Sequence, residues 1–182
     1  MDSDREPREP DDALERALVT HIAGMRRYAR ALVGNATDAE DLVQESLARA
    51  LARIRPWTSV RDLRSYLFTI LHNHYVDQYR SRRNAPAMVD IDNVLQHPSA
   101  PANQDRRLEL RDLGRALETL SEEQRAVVLL VGLEGLSYAE VAKVLDVPIG
   151  TVMSRLSRGR SLLRELIQTN RMPAPVAKRK PT

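Results

Sequence analysis

Cysteine is absent from all 182 residues. That excludes disulfides, thiolate nucleophiles and cysteine-ligated zinc. Aromatic residues make up only 4% of the chain, so a core must be assembled from Leu, Val, Ile and Ala. A composition rich in Ala, Leu, Arg and Glu favours helix. The seven glycines are scattered and build no phosphate-cradling loop, and neither an HExxH pair nor a nucleophile elbow occurs. His72 and His74 are two residues apart, on different faces of a helix, so they do not make a metal pair. The chain therefore reads as a non-enzyme with no metal and no cofactor. Long apolar runs are also lacking. The longest, Ala126–Val131, is far short of a membrane span, and the amino terminus is acidic without the apolar segment of a signal peptide. A cytoplasmic protein without membrane insertion follows, monomeric when free of partners.

The net charge of +3 conceals an asymmetry. Residues 1–15 hold seven acids against two arginines, while 171–182 hold four basic residues and no acid. Both ends read as solvated tails, 1–12 acidic and 170–182 basic. The basic one could add salt-sensitive attraction to nucleic acid.

Between the tails the apolar spacing is helical throughout, with no strand alternation. A first helix is predicted over Ala13–Leu32, with Leu14, Leu18, Ile22, Met25 and Ala29 inward. Gly34-Asn35 ends it. Thr37 and Glu40 suggest a capping box for a second helix to about Ile54, burying Leu42, Val43, Leu47, Ala50, Leu51 and Ile54. A third runs from about Val60 to Arg83, with a possible break near Asn73 and an apolar stripe of Leu63, Leu67, Ile70, Leu71, Tyr75 and Tyr79. Residues 85–107 are rich in Pro, Asn, Gln and Ser and read as a linker, and beyond it Ser121 and Gln124 form a capping box ahead of the apolar run Ala126–Val131. The expected architecture is all-α, with two small helical domains at 13–84 and 108–169.

The stretch Leu136–Leu163 carries the most specific signal. Ser137 and Glu140 form a capping box ahead of Val141, Ala142 and Leu145; Asp146-Val147-Pro148 interrupts, and Pro148 opens a second helix. Val152, Leu156 and Leu163 give that helix a buried side, away from Ser154, Arg155, Ser157, Arg158 and Arg160. This is a helix-turn-helix with a basic second helix. Gly150, Thr151, Met153, Ser154 and Arg155 are candidates for base edges, and Arg158 and Arg160 for phosphates.

Two other features need a partner or a ligand. Asp38, Asp41 and Glu45 share a helix face with Gln44 beside it. Acids at a helix start complement the dipole, but an acidic face on a DNA-binding chain also suits a protein partner. Tyr66, Phe68, Tyr75 and Tyr79 lie near Arg80, Arg82 and Arg83, a mixture suited to unstacked bases. Phe68 and Tyr75 are expected to pack inward.

Taken together these segments resemble the bacterial RNA polymerase sigma factors of the extracytoplasmic-function (ECF) group over roughly Leu14–Ile167, and specifically the alphaproteobacterial general-stress type. DAEDLVQESLARAL (Asp38–Leu51) looks like region 2.2, RSYLFTILHNHYVDQYRSRR (Arg64–Arg83) like regions 2.3 and 2.4, and Leu120–Glu165 like region 4. The resemblance implies that Asp38, Asp41, Gln44 and Glu45 dock on the β′ clamp helices of core RNA polymerase. It implies −10 recognition by Asn73, on a loop that captures a flipped base, with Asp77, Tyr79, Arg80, Arg82 and Arg83. It implies −35 recognition by Thr151, Met153, Ser154, Arg155, Arg158 and Arg160, contact of the second domain with the β flap, and control by an anti-sigma factor. Met153 departs from the family, which often has Arg or Lys there. Two rival expectations remain: a stand-alone helix-turn-helix regulator, and a helical interaction module that only mimics a sigma factor.

Overall fold

The computed structural model describes residues 9–53, 62–84 and 113–170, with side chains over 16–53, 62–78, 113–166 and 168. The expected linker, most of the acidic tail, the basic tail and Ile54 lie outside them. Seven helices and no strand occur among the described residues: α1 (Glu9–Val33), α2 (Ala36–Arg53), α3 (Leu63–Asn84), α4 (residues 113–118), α5 (Glu122–Gly132), α6 (Tyr138–Leu145) and α7 (Ile149–Asn170).

Three local expectations are corrected. Helix α1 starts at Glu9, so the end of the expected acidic tail is helical. Pro10 suits a first turn, where a missing N–H costs nothing. Helix α2 is capped by Asn35, not Thr37: the Asn35 side-chain oxygen accepts from the Asp38 amide at 2.7 Å. Glu40, expected to complete the box, instead accepts from Arg26 on α1 at 2.6 and 2.9 Å. Helix α3 runs through Asn73 without a break, so Asn73 stands on a helix and not on a loop.

Helices α1, α2 and α3 bury Leu18, Met25, Tyr28, Ala29 and Leu32 against Ala39, Leu42, Val43 and Ala50 and against Leu67, Phe68, Ile70, Leu71 and Tyr75. The Tyr28 and Phe68 rings meet edge to face at 5.6 Å, a favoured aromatic geometry. Leu51, expected inside, is exposed. The buried stripe of α2 turns through Ser46 instead, tolerated there because its hydroxyl donates to the Leu42 carbonyl at 2.6 Å.

In the second unit both expected capping boxes form, Ser121 with Gln124 and Ser137 with Glu140. Asp146 ends α6 in the left-handed conformation (φ 51°, ψ 51°), which Asp tolerates better than most residues. The Pro148 carbonyl accepts from the Thr151 and Val152 amides and so starts α7. Buried Val141, Val144, Val152 and Leu156 join the same hydrophobic cluster as α1–α3. The two units are thus packed together, α3 against α6 and α1 against α5.

Gly159 fixes how closely α7 approaches α5, since a Cβ there would lie 2.8 Å from Val128 Cγ2. In Gly159→Ala a helix-propensity gain of about 1 kcal/mol opposes an overpacking cost of about 1–3 kcal/mol. Valine is stiff at χ1, so overpacking wins, and chemical denaturation should show a net loss of roughly 1 kcal/mol.

Candidate nucleic-acid and partner interface

Helix α2 presents Asp41, Gln44 and Glu45 to solvent. Asp38 is turned back, accepting from the Asn35 side-chain amide at 2.8 Å. Glu45 is anchored at one end of the face: its Oε2 lies 3.0 Å from Nε2 of buried His74 and 3.9 Å from Arg49. With Asp41 and Glu45 both exposed on it, this face carries negative charge.

On α3, Asn73 and Asp77 are exposed while Phe68 and Tyr75 are buried, as expected of those aromatics. The side chains of Tyr79, Arg80, Arg82 and Arg83 lie outside the described residues. The two histidines flanking Asn73 face the interior of the unit. His72 Nδ1 lies 3.1 Å from the Tyr28 hydroxyl. His74 Nδ1 lies 3.4 Å from Ser46 Oγ. Burial lowers both pKa values, to about 4 for His72. These histidines hold Asn73 outward.

Their pKa direction sets a pH dependence. A histidine that stays neutral in the fold stabilises it fully above its unfolded pKa of about 6.5, and the contribution is lost as pH falls toward the folded value. For His72 the loss between pH 6.5 and 4 is roughly 3 kcal/mol. Urea denaturation at pH 7 and pH 5 should show a steep decline in the native chain and a shallower one in His72→Gln.

On α7, Met153, Ser154, Arg158 and Arg160 are exposed and Thr151 is half-buried. Met153 and Ile149 are about half exposed, one turn apart on the outer face of the first two turns. Arg158 donates to the Ser154 carbonyl at 3.3 Å, folding its guanidinium along the helix. Arg155 departs from the expected group: its side chain is 22% exposed and reaches Glu123 of α5 at 3.6 Å. Asn73, Asp77, Glu122, Glu123 and Arg155 line one cleft of about 380 Å³ between the units. The structure therefore brings candidates for two different DNA elements to one place, and leaves Met153, Ser154 and Arg158 facing away.

Four residues with no assigned role join the units. Glu134, in the loop between α5 and α6, is buried and accepts from Arg27 of α1 at 2.9 and 3.1 Å. Arg64 of α3 donates to the Glu134 carbonyl. Gly24 of α1 leaves the space the carboxylate occupies. Arg27 and Glu134 are 107 positions apart, and an acid between Leu133 and Gly135 looks like any solvated loop residue. No signal in a single sequence marks them.

A family model described as sigma-70, region 4 matches residues 110–163, and one described as the sigma2 domain of PhyR matches residues 18–72. The chain is 37% identical over 156 residues to the ECF RNA polymerase sigma factor EcfG of Rhodopseudomonas palustris, covering 86% of each protein. It is also 37% identical to the ECF sigma factor SigL of Mycobacterium tuberculosis, covering 86% of this chain and 90% of that one. Among solved structures it is similar to the sigma factor RpoE of Bartonella quintana in complex with the anti-sigma factor NepR: TM-score 0.74, 34% identity, 87% of this chain and 99% of that one. The likeness to PhyR bound to NepR is 19% identical or less and shows the fold alone. With acidic α2, helical α3 and a helix-turn-helix in the order of relatives matched nearly end to end, the chain belongs to the ECF RNA polymerase sigma factors, of the alphaproteobacterial stress type.

Proposed function

We propose that the chain docks on core RNA polymerase through Asp41, Gln44 and Glu45 of α2, reads and opens the −10 element with α3 from Asn73 to Arg83, and reads the −35 element with the outer face of α7. It acts in the cytoplasm, where polymerase is, and an anti-sigma factor controls it. The observation that carries this is an exposed acidic face on α2, which DNA would repel, in one chain with exposed candidate DNA readers on two separate helices, α3 and α7. A stand-alone regulator would leave that face without a role. Anti-sigma control is supported by the full-length likeness to a relative captured with its anti-sigma factor. The test is run-off transcription from a stress-type promoter by core polymerase with and without the protein. A promoter-specific transcript that needs both is expected; tight duplex binding by the protein alone, with no such transcript, overturns the proposal.

Met153 gives a finer prediction. An exposed thioether on the outer face of α7 suits the methyl group of thymine, which the major groove displays. Replacing −35 thymines by uracil removes only that methyl. Each lost contact is worth about 0.8 kcal/mol, roughly fourfold in binding. Holoenzyme with the native chain should show that loss in a competition assay, and holoenzyme with Met153→Ala should not.

A further inference from the structure

Ser154 and Arg158 are both exposed on α7, one turn apart, and they bond to each other and to the helix. Ser154 Oγ donates to the Thr151 carbonyl at 3.0 Å. A hydroxyl has a single hydrogen and lone pairs besides, so after that bond Ser154 can only accept. It accepts from Arg158 Nη2 at 3.4 Å, while Arg158 Nε donates to the Ser154 carbonyl at 3.3 Å. Both attachments lie on one edge of the guanidinium and lay it back along α7, toward the start of the helix. They leave its end, both hydrogens of Nη1 and the second of Nη2, for a ligand.

The first turns of α7 otherwise offer few donors. Ile149 and Met153, exposed there, are apolar. The Ser154 hydrogen is already committed, and Arg155 is drawn back to Glu123 of α5. DNA presents acceptors to such a helix: phosphate oxygens, and the N7 and O6 edge of guanine. A hydroxyl that can only accept meets them poorly. The donor end of a guanidinium meets them well. Holding a long arginine in place before DNA arrives also lowers the ordering cost of binding.

Building on the reading of α7 as the −35 reader, we propose that Ser154 is a positioning residue that contacts no base and acts through Arg158, holding the guanidinium against the first turns of α7 with its donor end toward DNA. The Ser154 hydroxyl thus sets the strength of one arginine contact and adds no base contact of its own.

Competition binding by holoenzyme, over a panel of promoters with each −35 base pair substituted in turn, tests this. Ser154→Ala should weaken binding roughly 2- to 10-fold, the worth of ordering one long side chain. Arg158→Ala should weaken it on the order of 10-fold or more, with the same profile across the panel as Ser154→Ala. Adding Ser154→Ala to Arg158→Ala should cost nothing further. Ser154→Thr should bind as the native chain does, since a threonine hydroxyl also bonds the helix carbonyl one turn back. Alanine is the better helix former at both positions, so circular dichroism should show unchanged helical content in every variant. A serine that itself reads a base would give another pattern. Ser154→Ala would then relax a preference that Arg158→Ala keeps, and the two losses would add in the double variant. Either result overturns the positioning role and leaves α7 as the −35 reader. Native holoenzyme indifferent to every −35 substitution overturns both.

Discussion

Asp41→Lys is expected to weaken association with core RNA polymerase by on the order of 30-fold or more, with the fold intact. Asp41 is exposed on α2, and substitutions at such positions usually change stability by no more than about 0.5 kcal/mol. Its proposed role lies in a charged contact with the β′ clamp helices. Losing one partner of a hydrogen-bonded charge pair in an interface costs about 2–5 kcal/mol, and a like charge in its place adds repulsion. Glu45→Lys would be a less clean probe, because it would set a cation beside buried His74 and Arg49 and so disturb α2 against α3. Titration of fluorescent protein with core polymerase at two salt concentrations measures the effect. Unchanged affinity in Asp41→Lys would remove α2 from the docking surface.

Asn73→Ala is the second large effect, and it should divide differently. The side chain stands exposed on α3 between two inward-facing histidines, so its amide is offered to a ligand and not to the core. Extracting a base from the stack costs a few kcal/mol, which a pocket recovers only for the right base. Loss of the reading amide should therefore lower open-complex formation roughly 10- to 100-fold on the preferred −10 sequence, with a smaller loss on mismatched ones. Alanine is the better helix former, so stability should hold or rise. Core association should be unchanged. If it falls with promoter opening, Asn73 belongs to the docking surface and the −10 reader lies elsewhere on α3. The continuity of α3 sharpens this prediction. Asn73 does not itself sit on a capturing loop, so in the proposed role it would act from a rigid helix.

Much of this was legible in the sequence where local chemistry decides. Both capping boxes of the second unit form as read, because Ser with Glu or Gln three residues on satisfies the same two amides wherever it occurs. The inward stripe of α1 is right for Leu18, Met25 and Ala29. The start of α2 was misread because Asn35 and Thr37 both carry an oxygen that can cap; Asn35 wins, and Glu40 is drawn to Arg26 across the helix pair. Leu51 and Ser46 exchanged places for a tertiary reason. The position facing His74 accepts a hydroxyl, and Leu51 is left about half exposed. The site divided the same way. Residue types placed Asp41, Gln44 and Glu45 on one face and Met153, Ser154 and Arg158 on another, and the helices keep them there. Arg155 looked like its neighbours by type, yet its direction depends on α5. The contacts of Glu134, Arg27, Arg64 and Gly24 depend on how two separately readable units meet, which no periodicity encodes.

The central claim is that this chain reads two separated DNA elements, and only as part of polymerase. Transcription by core polymerase from a pool of duplexes with a randomised upstream region, followed by sequencing of the templates used, tests it directly. The account predicts two motifs at a fixed spacing of about two helical turns, recovered only when protein and core are both present. A single motif or a palindrome, or templates recovered by the protein without core, would contradict it.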